Sequence, residues 1–312
     1  MAAPFALDRS AAKTTKRFWS ARWTPYAGIA LAGGCLAWLS GAHPGAMPVW
    51  APWDFSPVEF FSISLAFLWF LRGLATESAR PRPETWRAVS FVAGLGVIYL
   101  VLQTRFDYWA QHLFLLNRVQ HVVMHHLGPF LLALAGAGDT LRRGMPSWVR
   151  RAAESRPVSA ISSVLQRPWI AGVLFAGSFF FWLIPPIHFR AMLDARLYQL
   201  MNWTMVVDGI LFWSLALDSR PKPPARISFG ARIGLILGVM IPQVVLGALL
   251  TVWPRSLYPS YDLCGRMLPS MSALTDQHLG GAIVWIPPGI LSMAGLLRLI
   301  IALSRQRSTA CS

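Results

Sequence analysis

FGARIGLILGVMIPQVVLGALLTVW, from Phe229 to Trp253, carries one charged side chain, Arg232, in a stretch long enough to cross a bilayer core, which takes ~20 residues. Seven further apolar runs accompany it: Tyr26–Ala42, Phe60–Ala75, Ala88–Thr104, Val119–Gly136, Trp169–Ile187, Tyr198–Leu217 and Leu279–Leu303. In lipid every backbone amide must be satisfied within its own segment, so helices are expected; the alternation of barrel strands is absent. The sequence therefore predicts an all-α fold, a polytopic transmembrane bundle of about eight spans. Composition agrees. The 312 residues are 55% hydrophobic and 13% charged, against roughly a quarter charged in a soluble domain.

The net charge of +15 has a topological reading. With the N-terminus inside, only Arg105, Arg118, Arg190, Arg196, Arg255 and Arg266 fall outside, and the other 22 of the 28 Lys and Arg lie in or beside cytoplasmic segments. That is the positive-inside asymmetry, and it predicts both termini inside. It explains the charge without nucleic acid and makes anionic lipid headgroups the expected partner of the basic loops.

The first run follows a basic tail and ends in Ser40-Gly41-Ala42, a pattern shared by cleaved secretory signals and uncleaved anchors; the anchor is the preferred reading. The longest inner connection, Asp139–Arg167, is basic and reads as a partly ordered hairpin. The longest outer one, Pro254–His278, carries Tyr258, Tyr261, Asp262, Asp276 and His278 and suits a cap. Cys35, Cys264 and Cys311 are too scattered for a disulfide framework, and Cys264 is either an inert thiol or a lone ligand. Pro129, Pro242, Pro287 and Pro288 interrupt spans; they either curve the bundle or, at Pro287-Pro288, free carbonyls near an outer site.

Chemistry concentrates in the fourth span, Asn117-Arg118-Val119-Gln120-His121-Val122-Val123-Met124-His125-His126. Asn117, His121 and His125 recur every four residues and share one helix face. Inside lipid such a stripe must face the bundle interior or a watery cavity. Imidazole with thioether suits copper, and imidazole alone suits copper, zinc or haem iron; the bland alternative is hydrogen bonding between helices. His188, Asp276 and His278 fall at the same predicted outer depth and are expected to converge with His121. The metal-ligand candidates are thus His121, His125, His188, Asp276 and His278, with Met124, His126 and Asp208 as further members. There is no Gly-rich phosphate loop, G-x-S-x-G elbow or HExxH pair. Lys13, Lys16 and Lys222 all lie outside the spans, which excludes a retinal Schiff base.

An ordered set of motifs resembles a known family. Trp53-Asp54-Phe55-Ser56-Pro57 precedes the second span, followed by Trp86-Arg87, Gly94-Leu95 and Asp107-Tyr108. Gln120-His121 comes next, then Pro129-Phe130-Leu131-Leu132, His188, Tyr198 and Gly209-Ile210-Leu211-Phe212-Trp213. Leu257-Tyr258-Pro259 with Tyr261, and Asp276-Gln277 with Gly280-Gly281 and Trp285, complete it. Over roughly Trp50 to Leu303 the chain resembles the CtaG-type cytochrome c oxidase assembly factors, multi-spanning bacterial membrane proteins implicated in maturing the copper-containing oxidase. The residues carried over are His121, His188, Asp276 and Gln277. Asn117 and Asn202 stand where the family usually has histidine, His125-His126 where it often has Met-Met, and Ser56 where Asp is usual.

The resemblance implies a seven-span domain over 50–303, preceded by a basic tail and an added span over 1–49 and followed by a cytoplasmic tail over 304–312. It implies a multi-pass protein of the bacterial inner membrane that is not an enzyme. Its expected function is assembly of a haem-copper cytochrome c oxidase, binding copper near the extracytoplasmic face, with an oxidase subunit or other assembly factors as partners. A copper transporter or haem-holding electron carrier, and a metal-free insertion chaperone, remain the alternatives.

Overall fold

The computed structural model describes residues 9–76, 84–223, 225–263 and 267–310, and among these the chain is helical with no strand. Helix α1 (Arg9–Ala42) leads through a 3-10 turn at Pro44–Ala46 to α2 (Pro57–Ala75), which opens on a proline whose missing N–H costs a first turn nothing. Helix α3 (Thr85–Gln103) passes almost directly into the short α4 (Arg105–Ala110). Between them the Thr104 hydroxyl caps α4 by accepting from the Phe106 amide at 3.2 Å.

The predicted fourth span is a composite of α5 (Phe114–Val122), one π-helical turn (Val123–Leu127) and α6 (Gly128–Ala135). Pro129 has no N–H to give the carbonyl of His125, four residues back, and the Gly128 amide reaches back to Val123 instead. The chain takes up the slack as a wide turn, a feature that frequently accompanies functional sites. Gly136 ends α6 with φ +60°, a left-handed conformation open to glycine at little cost. The basic connection expected as a partly ordered hairpin consists of three short helices, α7 (Gly138–Gly144), α8 (Ser147–Ala153) and α9 (Arg156–Leu165).

Helices α10 (Pro168–Leu183) and α11 (Pro185–Leu193) again begin on prolines. Asp194 caps α12 (Ala195–Ala216), accepting from the amides of Arg196 and Leu197 at 2.8 and 3.2 Å. Ser228 caps α13 (Phe229–Val252), and a 3-10 turn at Pro259–Asp262 precedes α14 (Ala273–Ala310), which runs unbroken through Pro287-Pro288.

Among the described residues four helices are long and apolar enough to cross a membrane: α2, α3, α13 and the Ala273–Gln306 part of α14. The pair α9 and α10, bent by 74°, makes a fifth if taken as one span. The other expected runs depart for identifiable reasons. Val119–Gly136 is divided by the π turn, Trp169–Ile187 breaks at Pro185-Pro186, and α12 carries Arg196, Gln199, Asn202 and Asp208. α1 draws its first half from the basic tail.

The composite α5–α6 and α12 occupy the centre. Phe114, Met124, Met201 and Met205 pack with Trp182, Tyr258 and Tyr261 in one core, and Phe130, Phe175, Phe212, Trp213 and Ile236 in a second. Phe70, Phe91 and Leu95 join α2 and α3 to the end of α6. Gly209 is where α12 crosses the π turn: a Cβ there would stand 2.5 Å from the His125 carbonyl oxygen, so only glycine permits this approach.

Candidate functional site

His121, His125 and His126 are all buried, at 2%, 0% and 1% exposure. Both ring nitrogens of His121 lack a hydrogen-bond partner. His125 stacks on Phe175 with ring centroids 3.9 Å apart, and its Nε2 lies 2.9 Å from Asp208 Oδ1. Neither atom of that contact is satisfied as an aligned hydrogen bond, so it is proximity without a directed N–H, and His125 Nδ1 is unpartnered as well. Met124, Met201 and Met205, all at 0% exposure, lie in the same core. His126 differs. Its Nε2 lies 3.0 Å from Gln243 Nε2, which also donates to the Val284 carbonyl at 3.1 Å. Pro288 leaves that carbonyl without its helical donor, and Gln243 supplies the bond from beside His126.

The residues expected to gather around His121 have other employment. The Asp276 carboxylate accepts from the amides of Phe114 and Leu115 at 3.0 and 2.8 Å, capping α5 from the start of α14. His188 donates from Nδ1 to the Trp182 carbonyl at 3.2 Å, and its Nε2 lies 2.8 Å from the Tyr261 hydroxyl. His278 Nε2 donates to the Trp253 carbonyl at 2.9 Å. Gln277 latches the segment that follows α13, accepting from Leu257 N at 2.6 Å and donating to Arg255 O at 3.1 Å. Among the described residues no three His, Cys, Asp or Glu groups converge closely enough to hold a metal ion, so the expected cluster of His121, His188, Asp276 and His278 is not formed. Asp276 instead ties α14 to the start of α5, and His278 ties α14 to the end of α13. Cys264, the lone-ligand candidate, lies outside the described residues, and Cys35 is exposed.

Three features escaped the sequence. Arg118 is buried at 1% exposure, stacked 4.9 Å over the Phe114 ring and bonded to the Asn117 side chain, with Nε and Nη1 unpartnered. It stands within electrostatic reach of His121 and His188. Tyr258 donates to the Leu183 carbonyl at 2.7 Å, and burial pushes its phenol up to about 12 against the opposing pull of Arg118, so it stays protonated. Asp107 is the hub of a polar network: Tyr198 and Gln120 donate to Oδ1 at 2.7 and 2.6 Å, and Gln111 to Oδ2 at 3.0 Å. Burial nonetheless raises its carboxyl from 3.8 to about 6. Gln103 joins the same end, donating to Ser56 O and Glu59 Oε2 at 2.9 and 3.0 Å. The signal available for these groups was polar residues inside or beside apolar runs, which marks burial without naming the partner.

A model of the cytochrome c oxidase caa3 assembly factor family (Caa3_CtaG) matches residues 65–306. The chain belongs to that family. The matched region of this caa3 assembly factor family member holds His121, His125, His188, Asp276 and His278, whereas α1 and Glu59 lie before it. Uncharacterized proteins of Mycobacterium bovis and Mycobacterium tuberculosis are each 23% identical over 220 residues, 66% of this chain and 32% of theirs. An uncharacterized protein of Mycobacterium leprae is 23% identical over 216 residues, 65% of this chain and 32% of its own. The chain thus spans about a third of the length of these curated relatives. No solved structure matches.

Proposed function

We propose that this chain helps to mature a haem-copper cytochrome c oxidase in the bacterial inner membrane, holding a copper ion as cargo at His121 and His125 and passing it to an oxidase subunit on the extracytoplasmic side. The observation that carries the reading is that these two histidines, one turn apart, keep buried ring nitrogens without hydrogen-bond partners. Buried polar atoms are ordinarily satisfied, and an unsatisfied lone pair in a packed interior is what a metal ligand offers. The thioethers of Met124, Met201 and Met205 add soft donors suited to Cu(I). Arg118 sharpens the choice of ion. A fixed positive charge nearby opposes an entering cation in proportion to that cation's charge, so Cu(I) is penalised about half as much as Zn²⁺ or Cu²⁺. Asp208 beside His125 would supply partial compensation.

In this reading the 22 basic groups hold the N-terminus, α7–α9 and the C-terminus in the cytoplasm. The end of the bundle that carries His188, Asp276 and His278 then faces outward, above the copper site. Deleting the gene should lower oxidase activity, added copper should restore part of it, and a His121→Ala copy should fail to complement. A His121→Ala copy that complements fully at limiting copper would overturn the copper role. A second reading, a metal-free insertion chaperone, is favoured by the lack of three converging His, Cys, Asp or Glu ligands among the described residues. It predicts loss of oxidase activity on deletion that copper does not relieve.

A further inference from the structure

Helix α2 packs on α3 and α7, and α12 packs on α6, α10 and the π turn, which leaves a cleft between α2 and α12. The cleft holds a cavity of about 410 Å³, within the ordinary range for a small-molecule site. Ile63, Ala66, Leu95, Ile98, Val206 and Ile210 make its walls apolar. It opens sideways, where Ser62, Val207 and Ser214 are exposed, the direction lipid would occupy. At its other end Glu59, Leu102 and Asn202 are shared with a second, polar chamber of about 220 Å³ that also touches Asp54, Asp107 and Tyr198.

Carboxyl and amide side chains line the polar end, the amides being Gln111, Gln199 and Asn202. Asp54, Glu59 and Asp107 present carboxyl oxygens. Asn202 is 2% exposed and lines both cavities, and its Oδ1 has no partner. A buried amide oxygen without a donor is costly, and a ligand that supplies the donor removes that cost. A head carrying negative charge would meet carboxylates instead. The shape also restricts the occupant. From Asn202 to Ser214 along α12 the cleft extends about 18 Å, the reach of one extended hydrocarbon tail.

We propose that this cleft binds a single-tailed amphiphile with a non-anionic, hydrogen-bond-donating head, the head on Asn202 Oδ1 and the hydrocarbon tail between α2 and α12. The site is separate from the proposed copper ligands His121 and His125 and does not depend on them.

Trp203 lines the cavity, which makes it a reporter. Titrating the full chain in nanodiscs with 11-bromo-1-undecanol should quench a saturable part of the tryptophan fluorescence. That part should be absent in Trp203→Phe. At pH 8, 11-bromoundecanoic acid should need at least tenfold higher concentration for the same quenching. Asn202→Leu should weaken the alcohol three- to tenfold and narrow its preference over the acid, which the carboxylates still disfavour. Ala66→Phe, which fills the cleft, should abolish saturable quenching; should it fail to fold, Val206→Phe blocks the same space from the opposite wall. Equal quenching by alcohol and acid in the parent chain, or saturable quenching that survives in a folded blocked variant, would overturn the proposal.

Discussion

The rim and the interior of this bundle are both built from histidine and carboxylate, and they use them in opposite ways. At the rim Asp276 caps α5, His188 is bonded at both nitrogens and His278 holds the Trp253 carbonyl. In the interior neither ring nitrogen of His121 has a partner, and His125 has only the unaligned approach of its Nε2 to Asp208. Residue type is the same, and His188 and Asp276 are as buried as His121 and His125; the difference is whether the lone pairs are already spent. A polar residue in an apolar span is therefore either a clasp or a site, and only its partners decide which.

The sharpest contrast should come from Asp276→Ala. It strands two amides at the start of α5, each costing ~1–3 kcal/mol, so a loss of about 3–4 kcal/mol is expected in chemical unfolding. Asp276→Asn keeps an acceptor and should lose much less. If Asp276→Ala unfolds like the parent, the rim is not a clasp.

The network around Asp107 should respond to pH. Burial holds the Asp107 carboxyl near about 6 instead of 3.8, so the folded chain keeps this proton where the unfolded chain has released it. Its favourable contribution is complete below about pH 4 and is lost as pH rises through about 6, a change on the order of 2–3 kcal/mol. Thermal melting of the parent should show that downward slope, and Asp107→Asn should flatten it. An equal slope in both would assign the pH dependence elsewhere.

A smaller cost, ~1–3 kcal/mol, is expected for Gly209→Ala, because its methyl would press on the His125 carbonyl oxygen and push α12 from the π turn. The same variant should change near-ultraviolet dichroism from the Phe175 and Trp213 cluster; an unchanged spectrum and melt would mean the crossing is looser than described. His278→Ala should do least, below ~1 kcal/mol, since the ring is partly exposed and gives up one hydrogen bond. A larger loss would move His278 from the edge of the clasp to its centre.

The sequence made the helical class legible because long apolar runs leave lipid-facing backbone one regular solution. It also drew attention to His121 and His125, whose four-residue spacing survives into the structure on either side of the first step of the π turn. The turn itself was hidden. Pro129 signalled a disturbed helix, but whether the chain would kink or widen depended on Gly209 crossing from eighty residues away in sequence. The expected meeting of His121 with Asp276 and His278 failed for a similar reason: equal depth says nothing of the angle around the bundle. Glu59, Gln103 and Gln243 were passed over as single polar residues in apolar runs. Their roles depend on a freed carbonyl or a neighbouring carboxyl that only the packed helices supply.

The most direct test is a Cu(I) titration of the purified chain against a chromophoric competitor, run on the parent, His121→Ala, His125→Ala and His278→Ala. The parent and His278→Ala should each bind one ion with matching affinity, while His121→Ala and His125→Ala bind at least tenfold more weakly. Matching affinity in all four, or a loss confined to His278→Ala, would contradict an interior copper site.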